Sequence, residues 1–199
     1  RGGLRIYTSL DPVLQDKAEE LVKNWADSNN ARFAAQNASL VSVDNKTGHV
    51  IAMVGWRDYY DEENKWNVNI TTSRLQPGSS FKPFVYSIAI DKEIIGSKTP
   101  IYDLKTRFPG WYEPNNFDWK FMGKMDVSTA LNNSRNIPAV KMYFLAGGEN
   151  AIGDWMKTLW VDSINAFKDD YFENYGKEYA YWASMGLGTA MLTPLEMAG

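Results

Sequence analysis

The chain of 199 residues contains no cysteine and a single histidine, His49. The absence of cysteine excludes a thiol nucleophile, a disulfide and a thiolate metal site. A histidine-based catalytic triad would depend on His49, which stands at the start of a predicted strand and is expected to lie on the surface. A lone histidine without cysteine also provides no cluster of metal ligands.

The sequence also lacks an excess of positive charge and long apolar runs. With 21 Lys and Arg against 24 Asp and Glu, the net charge is −3 and the pI is about 5.3, so nucleic acid is not an expected partner. The adjacent acids Asp169-Asp170 and Glu62-Glu63 are expected to be solvated. No apolar run approaches the roughly 18 residues of a membrane span, and no signal peptide is recognisable. Apolar residues make up 44% of the chain, which is sufficient for a sizeable core.

The beginning of the chain predicts a strand and then a helix. Leu4, Ile6 and Thr8 alternate with polar neighbours, which is typical of a strand. Asp11 is expected to cap the N-terminus of a helix that ends at residues 28–30.

A hairpin is predicted next. Residues 40–44 and 49–56 have the composition of two strands, and the turn between them ends in Gly48, where a positive φ is required. Residues 57–74 are polar and aromatic, and we expect them to form a long surface connection.

The segment that begins at Pro77 predicts a buried helix with a nucleophile at its start. After the breaker pair Pro77-Gly78, apolar residues recur with the period of a helix that ends near residues 95–96. Ser79 lies at the helix N-terminus, where free backbone N–H groups can stabilise an oxyanion. Lys82 lies one turn later on the same face, and the helix N-terminus and partial burial are both expected to lower its pKa. A serine beside a lysine that can lose its proton is suited to nucleophilic catalysis.

The rest of the chain predicts a long loop and then several helices. Residues 99–123 are rich in aromatics without a clean period, and they predict a long ordered loop of the kind that often lines a functional site. A hairpin followed by helices indicates an α+β fold. The helices are predicted over residues 126–131, 139–145 and 149–160 and after a capping box at residues 193–196.

Ser134-Arg135-Asn136 forms a second polar group, in the turn before the predicted helix 139–145. Ser134 could relay a proton, and Asn136 could bind a substrate amide through its donor and its acceptor. The same tripeptide also fits a helix-capping turn, because Ser and Asn are preferred cap residues.

Residues 75–83, Leu-Gln-Pro-Gly-Ser-Ser-Phe-Lys-Pro, resemble the nucleophile motif of penicillin-binding proteins. The resemblance is to the transpeptidase domain of the bifunctional class A enzymes, and it extends over nearly the whole chain. The other matching segments follow in the expected order at residues 4–14, 43–48, 52–55, 111–115, 130–140, 187–188 and 193–198.

The resemblance implies a fold like that of the serine β-lactamases, with helices packed on a mainly antiparallel sheet. It implies that Ser79 is the acylated nucleophile, that Lys82 is its general base and that Ser134 passes the proton towards the leaving group. Asn136 would hold the peptide, and the Ser79 N–H would form half of the oxyanion hole. No metal or cofactor would take part.

The implied reaction is D,D-transpeptidation of peptidoglycan. The enzyme attacks the D-Ala-D-Ala bond of a stem peptide, releases the last D-alanine and transfers the acyl group to an amine on a neighbouring strand. β-Lactam antibiotics would acylate the same serine. The resemblance also implies an upstream glycosyltransferase domain, a membrane anchor and a location on the extracytoplasmic face of the bacterial cytoplasmic membrane.

The family's third motif, Lys-Thr/Ser-Gly after Ser-x-Asn, has no match after Asn136. Lys46-Thr47-Gly48 matches it in letters but precedes Ser79 and lies in the predicted hairpin turn. Residues 1–199 are therefore expected to be the N-terminal part of a transpeptidase domain, cut before the third motif. The C-terminal remainder of the domain would complete the site, and the chain alone is expected to be inactive.

Two alternatives share this fold. A serine β-lactamase would add water in place of the amine, but residues 168–175 lack the Glu-x-x-Leu-Asn box that the resemblance to class A β-lactamases would require downstream of Ser-x-Asn. A non-catalytic β-lactam sensor or scaffold would keep Ser79 without turning over.

Overall fold

The computed structural model describes residues 3–35, 37–57 and 68–199. The chain divides into two compact units, one of residues 1–75 and 192–199 and the other of residues 76–191. Glu62-Glu63 and most of the predicted connection 57–74 lie outside the described residues.

The first unit contains a long helix, α1, Pro12–Phe33. Its predicted cap is confirmed, because the Asp11 side chain accepts hydrogen bonds from the N–H groups at the start of the helix. The predicted end at residues 28–30 is wrong, since these polar residues continue the helix to Phe33. The helix ends where Ala34 adopts a left-handed conformation with a φ of 54°.

The predicted opening strand is also wrong. Leu4 and Ile6 are 90% and 79% exposed, and residues 3–10 form no strand with any described part of the chain. Alternation marks a strand only where a sheet is present to bury its apolar face.

The predicted hairpin is confirmed with shorter strands. β1, Leu40–Val43, pairs antiparallel with β2, Val50–Val54. A small apolar core lies between this hairpin and α1, and its fully buried members are Ala18, Val22, Ala52 and Val54. The unit also contains α7, Pro194–Ala198, whose predicted capping box between Thr193 and Glu196 is present.

The turn of this hairpin follows the prediction. The Asp44 carboxylate accepts hydrogen bonds from the N–H groups of Lys46 and Thr47 at 2.8 and 3.0 Å, and Gly48 has a φ of 70°. Both residues 46 and 47 are exposed, as is His49.

The second unit has two buried helices at its centre. α2, Lys82–Asp91, follows a 3-10 turn at Gly78–Phe81, and α4, Asn136–Leu145, packs against it. The predicted end of α2 near residues 95–96 is wrong, because Glu93 turns to a φ of 55°. Completely buried residues of the 3-10 turn and of these two helices include Phe81, Val85, Ile88, Ala89, Ile137, Ala139, Val140 and Met142.

The segment 99–123 is not a continuous loop. β3, Pro100–Asp103, pairs antiparallel with β4, Gly123–Asp126, and residues 104–122 form the loop between them. Each strand is only four residues long, which is too short for a period of two to be recognised. The predicted cap at Asp126 is confirmed, and it starts α3, Val127–Asn132.

Two further helices complete this unit. α5, Gly148–Thr158, confirms the predicted amphipathic helix, whereas α6, Ser163–Tyr175, was not predicted because its contacts are aromatic and do not form an aliphatic stripe. The acidic pair Asp169-Asp170 lies exposed on α6. No helix in the described ranges is long and apolar enough to cross a membrane.

The hairpin turn gives a first prediction. Gly48→Val should destabilise the protein by roughly 1 kcal/mol or more, because a β-branched residue tolerates a positive φ poorly. Lys46→Ala, two residues away in the same turn and exposed, is the matched control and should change stability by no more than about 0.5 kcal/mol. Thermal unfolding of the two variants measures this difference, and equal stabilities would contradict the role assigned to Gly48.

Candidate active site

Ser79 lies on the 3-10 turn directly before α2, and its side chain is exposed. The prediction that a helix opens at Ser79 is confirmed, with a first turn that is 3-10. Ser80 donates its hydroxyl proton to the carbonyl of Pro77 at 2.7 Å, so the turn itself uses that side chain. The Ser79 hydroxyl forms no hydrogen bond with the described residues, which leaves it available to a ligand in the cleft.

Lys82, the first residue of α2, is only 1% exposed. Its Nζ donates to the carbonyl oxygen of Ser134 at 2.6 Å, to the Ser134 hydroxyl at 3.1 Å and to Oδ1 of Asn136 at 2.7 Å. Lys82 is therefore bound to both Ser134 and Asn136, which lie more than 50 residues away in the sequence.

Burial lowers the pKa of Lys82 to about 8, and the positive charge of Arg135 acts in the same direction. The predicted direction of the shift is confirmed, and burial was one of its predicted causes. The contribution of Arg135 was missed, because the sequence does not show that its guanidinium lies near Lys82.

Ser134 and Asn136 occupy a turn between α3 and α4. Ser134 has a φ of 50°, a left-handed conformation that a residue with a Cβ adopts at some cost. Arg135 is the N-cap of α4, and its own side chain forms no capping hydrogen bond. The interpretation of this tripeptide as a helix-capping turn is therefore wrong, because the two side chains face Lys82 and not the N–H groups of the helix.

Behind this turn lies a buried ion pair. Arg135 is 6% exposed and its Nε donates to Oδ2 of Asp103 at 2.8 Å. Its two other nitrogens donate to Asp118 and to the carbonyl oxygen of Lys120. Asp103, at the end of β3, is completely buried.

The loop between β3 and β4 is bound to the same turn through its asparagines. Oδ1 of Asn116 accepts from the N–H of Asn136 at 2.7 Å, and Nδ2 of Asn116 donates to Asp103 at 2.8 Å. Asn136 in turn donates from Nδ2 to the carbonyl oxygen of Asn115 at 2.7 Å. Sequence reasoning missed this loop's contribution, although an Asn-Asn pair followed by an acid within an aromatic loop was a signal of buried polar contacts.

Ser79, Ser134 and Asn136 line one open cleft of about 640 Å³. The lining combines polar side chains with two large apolar ones, Leu187 and Phe117, and Phe117 is 99% exposed. No described set of three or more acidic or histidine side chains is placed to hold a metal ion. The other residues that line the cleft are Gly78, Asp118, Asn133 and Arg135.

The turn that carries Ser79 depends on a close backbone contact. The N–H of Gly78 donates to the carbonyl of Gly188 at 3.0 Å, and a Cβ on Gly188 would lie 1.8 Å from the carbonyl oxygen of Gly78. Gly188 also has a φ of 83°. Only glycine satisfies both conditions at this position.

Gly188→Ala should therefore destabilise the protein more than Gly176→Ala. Gly176 has a φ of 62° but open space where a Cβ would lie, so this control has the unfavourable φ without the clash. We expect the clash to add roughly 1–3 kcal/mol and to lower the unfolding temperature of Gly188→Ala by several further degrees. Equal unfolding temperatures in the two variants would show that the close contact is not required.

Comparison with known proteins places this chain in a family. The family model described as "Penicillin binding protein transpeptidase domain" matches residues 38–199. The chain is 36% identical over 139 residues to penicillin-binding protein 1C of Escherichia coli. The matched region covers 69% of this chain and 17% of the E. coli protein.

Solved structures agree on the fold. The structure of penicillin-binding protein 1A of Haemophilus influenzae is 29% identical in sequence and superposes with a TM-score of 0.63. The match covers 81% of this chain and 22% of the Haemophilus chain. The structure of the penicillin-binding protein PonA1 of Mycobacterium tuberculosis is 20% identical in sequence, with a TM-score of 0.72. The match covers 96% of this chain and 47% of the PonA1 chain. These matches confirm both the α+β transpeptidase-like fold and the resemblance to class A enzymes. Because the family model covers most of the sequence, the chain belongs to the penicillin-binding protein transpeptidase domain family.

Proposed function

We propose that this chain is part of a peptidoglycan D,D-transpeptidase, in which Ser79 attacks the D-Ala-D-Ala bond of a stem peptide. Lys82 takes the proton of Ser79, Ser134 passes it to the departing D-alanine, and the acyl group is transferred to an amine of a neighbouring strand. Asn136 binds the peptide backbone of the acyl donor. β-Lactams acylate the same serine, and the reaction needs no cofactor.

The observation that carries the proposal is the environment of the Lys82 amine. Two of its three partners are carbonyl oxygens, which can only accept, and the third is the Ser134 hydroxyl, which can accept or donate. A neutral amine has two N–H donors and one lone pair, so it can keep its bonds to the two carbonyl oxygens and use the lone pair to accept a proton from a serine hydroxyl. The set is therefore compatible with both protonation states, as a group that takes and returns a proton requires.

The pKa supports the same role. A lysine with a pKa of about 8 is roughly one-tenth neutral at pH 7, whereas a lysine at the ordinary value of about 10.4 is neutral in well under one part in a thousand. A base near the working pH is the one that serves proton transfer best. Since the neutral amine is the active form, acylation should rise with pH and level off above about pH 8.

The proposed function also requires segments outside residues 1–199. The chain spans 17% and 18% of the length of two curated relatives, the 1C protein of E. coli and the 1A protein of Pseudomonas aeruginosa. We propose that a Lys-Thr/Ser-Gly strand outside residues 1–199 completes the site with the second oxyanion donor and the carboxylate-binding group. We also propose a glycosyltransferase domain, a membrane anchor and a position on the extracytoplasmic face of the bacterial cytoplasmic membrane.

Labelling with a fluorescent penicillin tests the nucleophile. In the full-length protein, Ser79→Ala should take no label, and Ser80→Ala should be labelled because its hydroxyl serves only the turn. Mass spectrometry should place the adduct on Ser79. An adduct on Ser80 would overturn the assignment.

The fate of the label separates the proposed function from its alternatives. A transpeptidase should hold the label and cross-link peptidoglycan strands in an assay with stem-peptide substrate. A β-lactamase would lose the label rapidly, and a sensor would hold it without cross-linking anything.

Substitution of Lys82 tests the base. Lys82→Arg keeps the charge but cannot release a proton at ordinary pH, so acylation should fall by a factor of roughly 10² or more. Lys92→Arg is the matched control. Lys92 follows the C-terminus of α2, at the end opposite Lys82, donates to the carbonyl of Ala146 and lines no part of the cleft. Ser134→Ala should slow acylation less than Lys82→Arg, since water can replace a relay. Near-normal acylation by the Lys82→Arg protein would exclude Lys82 as the base.

A further inference from the structure

We propose that Arg135 and Asn116 are positioning residues of this site, which hold the partners of the Lys82 amine in place. This inference rests on the proposed function, since it concerns how the acylation machinery is kept in its geometry. Neither residue needs to contact the substrate for this role.

The centre of the support is the Asp103 carboxylate. It accepts hydrogen bonds from Arg135 Nε at 2.8 Å, from Asn116 Nδ2 at 2.8 Å and from the N–H of Met122 at 3.0 Å. A carboxylate that is completely buried is tolerated only when it is paired and hydrogen-bonded, so removal of a partner leaves a costly charge. Asp103 takes no part in the proposed chemistry, and its burial directly behind the catalytic turn therefore indicates a structural connection.

Asn116 connects this carboxylate to the substrate-binding side chain. It is 2% exposed, and Oδ1 accepts from the N–H of Asn136 while both hydrogens of Nδ2 are used, one by Asp103 and one by the carbonyl of Lys120. The three contacts define which end of the amide is oxygen. The backbone of Asn136 is thereby fixed, and with it the side chain that accepts from Lys82.

Arg135 stands between Ser134 and Asn136 in the sequence, and its side chain binds Asp103, Asp118 and the carbonyl of Lys120. The planar guanidinium makes these bonds in fixed directions, which a lysine cannot reproduce. Because Ser134 holds an unfavourable φ of 50°, the turn needs bonds of this kind to keep its carbonyl and hydroxyl on Lys82.

Arg135 has a second, electrostatic effect on the same amine. The charged group that acts on Lys82 is Arg135, which is itself bound to Asp103 and Asp118, and Tyr86 follows Lys82 by one turn of α2. Burial and the charge of Asp103 raise the pKa of Tyr86, so this phenol stays neutral. Among the described groups, Arg135 is the one whose charge lowers the pKa of Lys82.

The two effects separate in the pH profile of acylation. Arg135→Gln removes both the planar, hydrogen-bonding guanidinium and its positive charge. We expect the rate at high pH to fall by roughly tenfold to 10²-fold, the usual effect of a small misplacement, and the rising limb to move to higher pH. The shift has this sign because loss of a neighbouring cation makes the protonated lysine more stable. Arg135→Lys and Asn116→Ala should lower the rate at high pH while the limb stays where it is in the unsubstituted protein.

The experiment measures the acylation rate of the full-length protein with fluorescent penicillin between about pH 6 and pH 10. Arg107→Gln is the matched control, because Arg107 is an exposed arginine that binds a carboxylate, Glu113, in the same loop. It should leave both the rate and the limb unchanged. Circular dichroism checks that each variant is folded.

Unchanged rates in Asn116→Ala and Arg135→Lys would overturn the proposal, and these two variants decide it if Arg135→Gln does not fold. A lower rate in a folded Arg135→Gln protein without movement of the limb would also contradict it, because that result describes a purely structural residue. Failure of the proposed function is a separate outcome, since the unsubstituted protein would then take no label at Ser79.

Discussion

The ammonium of Lys82 is the group on which the rest of this site depends. An amine that is 1% exposed loses most of its hydration, and it is kept in the structure by three oxygen atoms from a turn more than 50 residues away in sequence. Those bonds join the helix that carries Ser79 to the turn that carries Ser134 and Asn136. The same burial makes the proton of Lys82 easier to remove, so one contact gives both the packing and the chemistry.

The polar network behind the turn follows from this requirement. The acceptors of the Lys82 amine are neutral oxygen atoms, and Ser134 provides two of them from a left-handed conformation with a φ of 50°. The bonds from Arg135 and Asn116 to Asp103 hold that conformation, and Gly188 gives the turn before α2 the space it needs.

Local patterns in the sequence predicted the parts of this arrangement that depend on neighbours in the chain. The Pro77-Gly78 breaker, the apolar stripe of α2 and the Ser79 to Lys82 spacing led to the helix and its polar pair, and Asp11, Asp126 and Gly48 were found from cap and turn chemistry.

Contacts between distant segments could not be found in this way. The partners of Arg135 and Asn116 lie on β3 and in a loop with no period, and Leu4 and Ile6 alternate without a sheet in the described chain to bury them.

The most direct test of the proposed site is the titration of Lys82 itself, by NMR of the full-length protein labelled at the lysine side chains. Lys82→Arg identifies the resonance by its loss. We expect a midpoint near pH 8, and a midpoint near the ordinary lysine value of about 10.4 would contradict the role of Lys82 as the base.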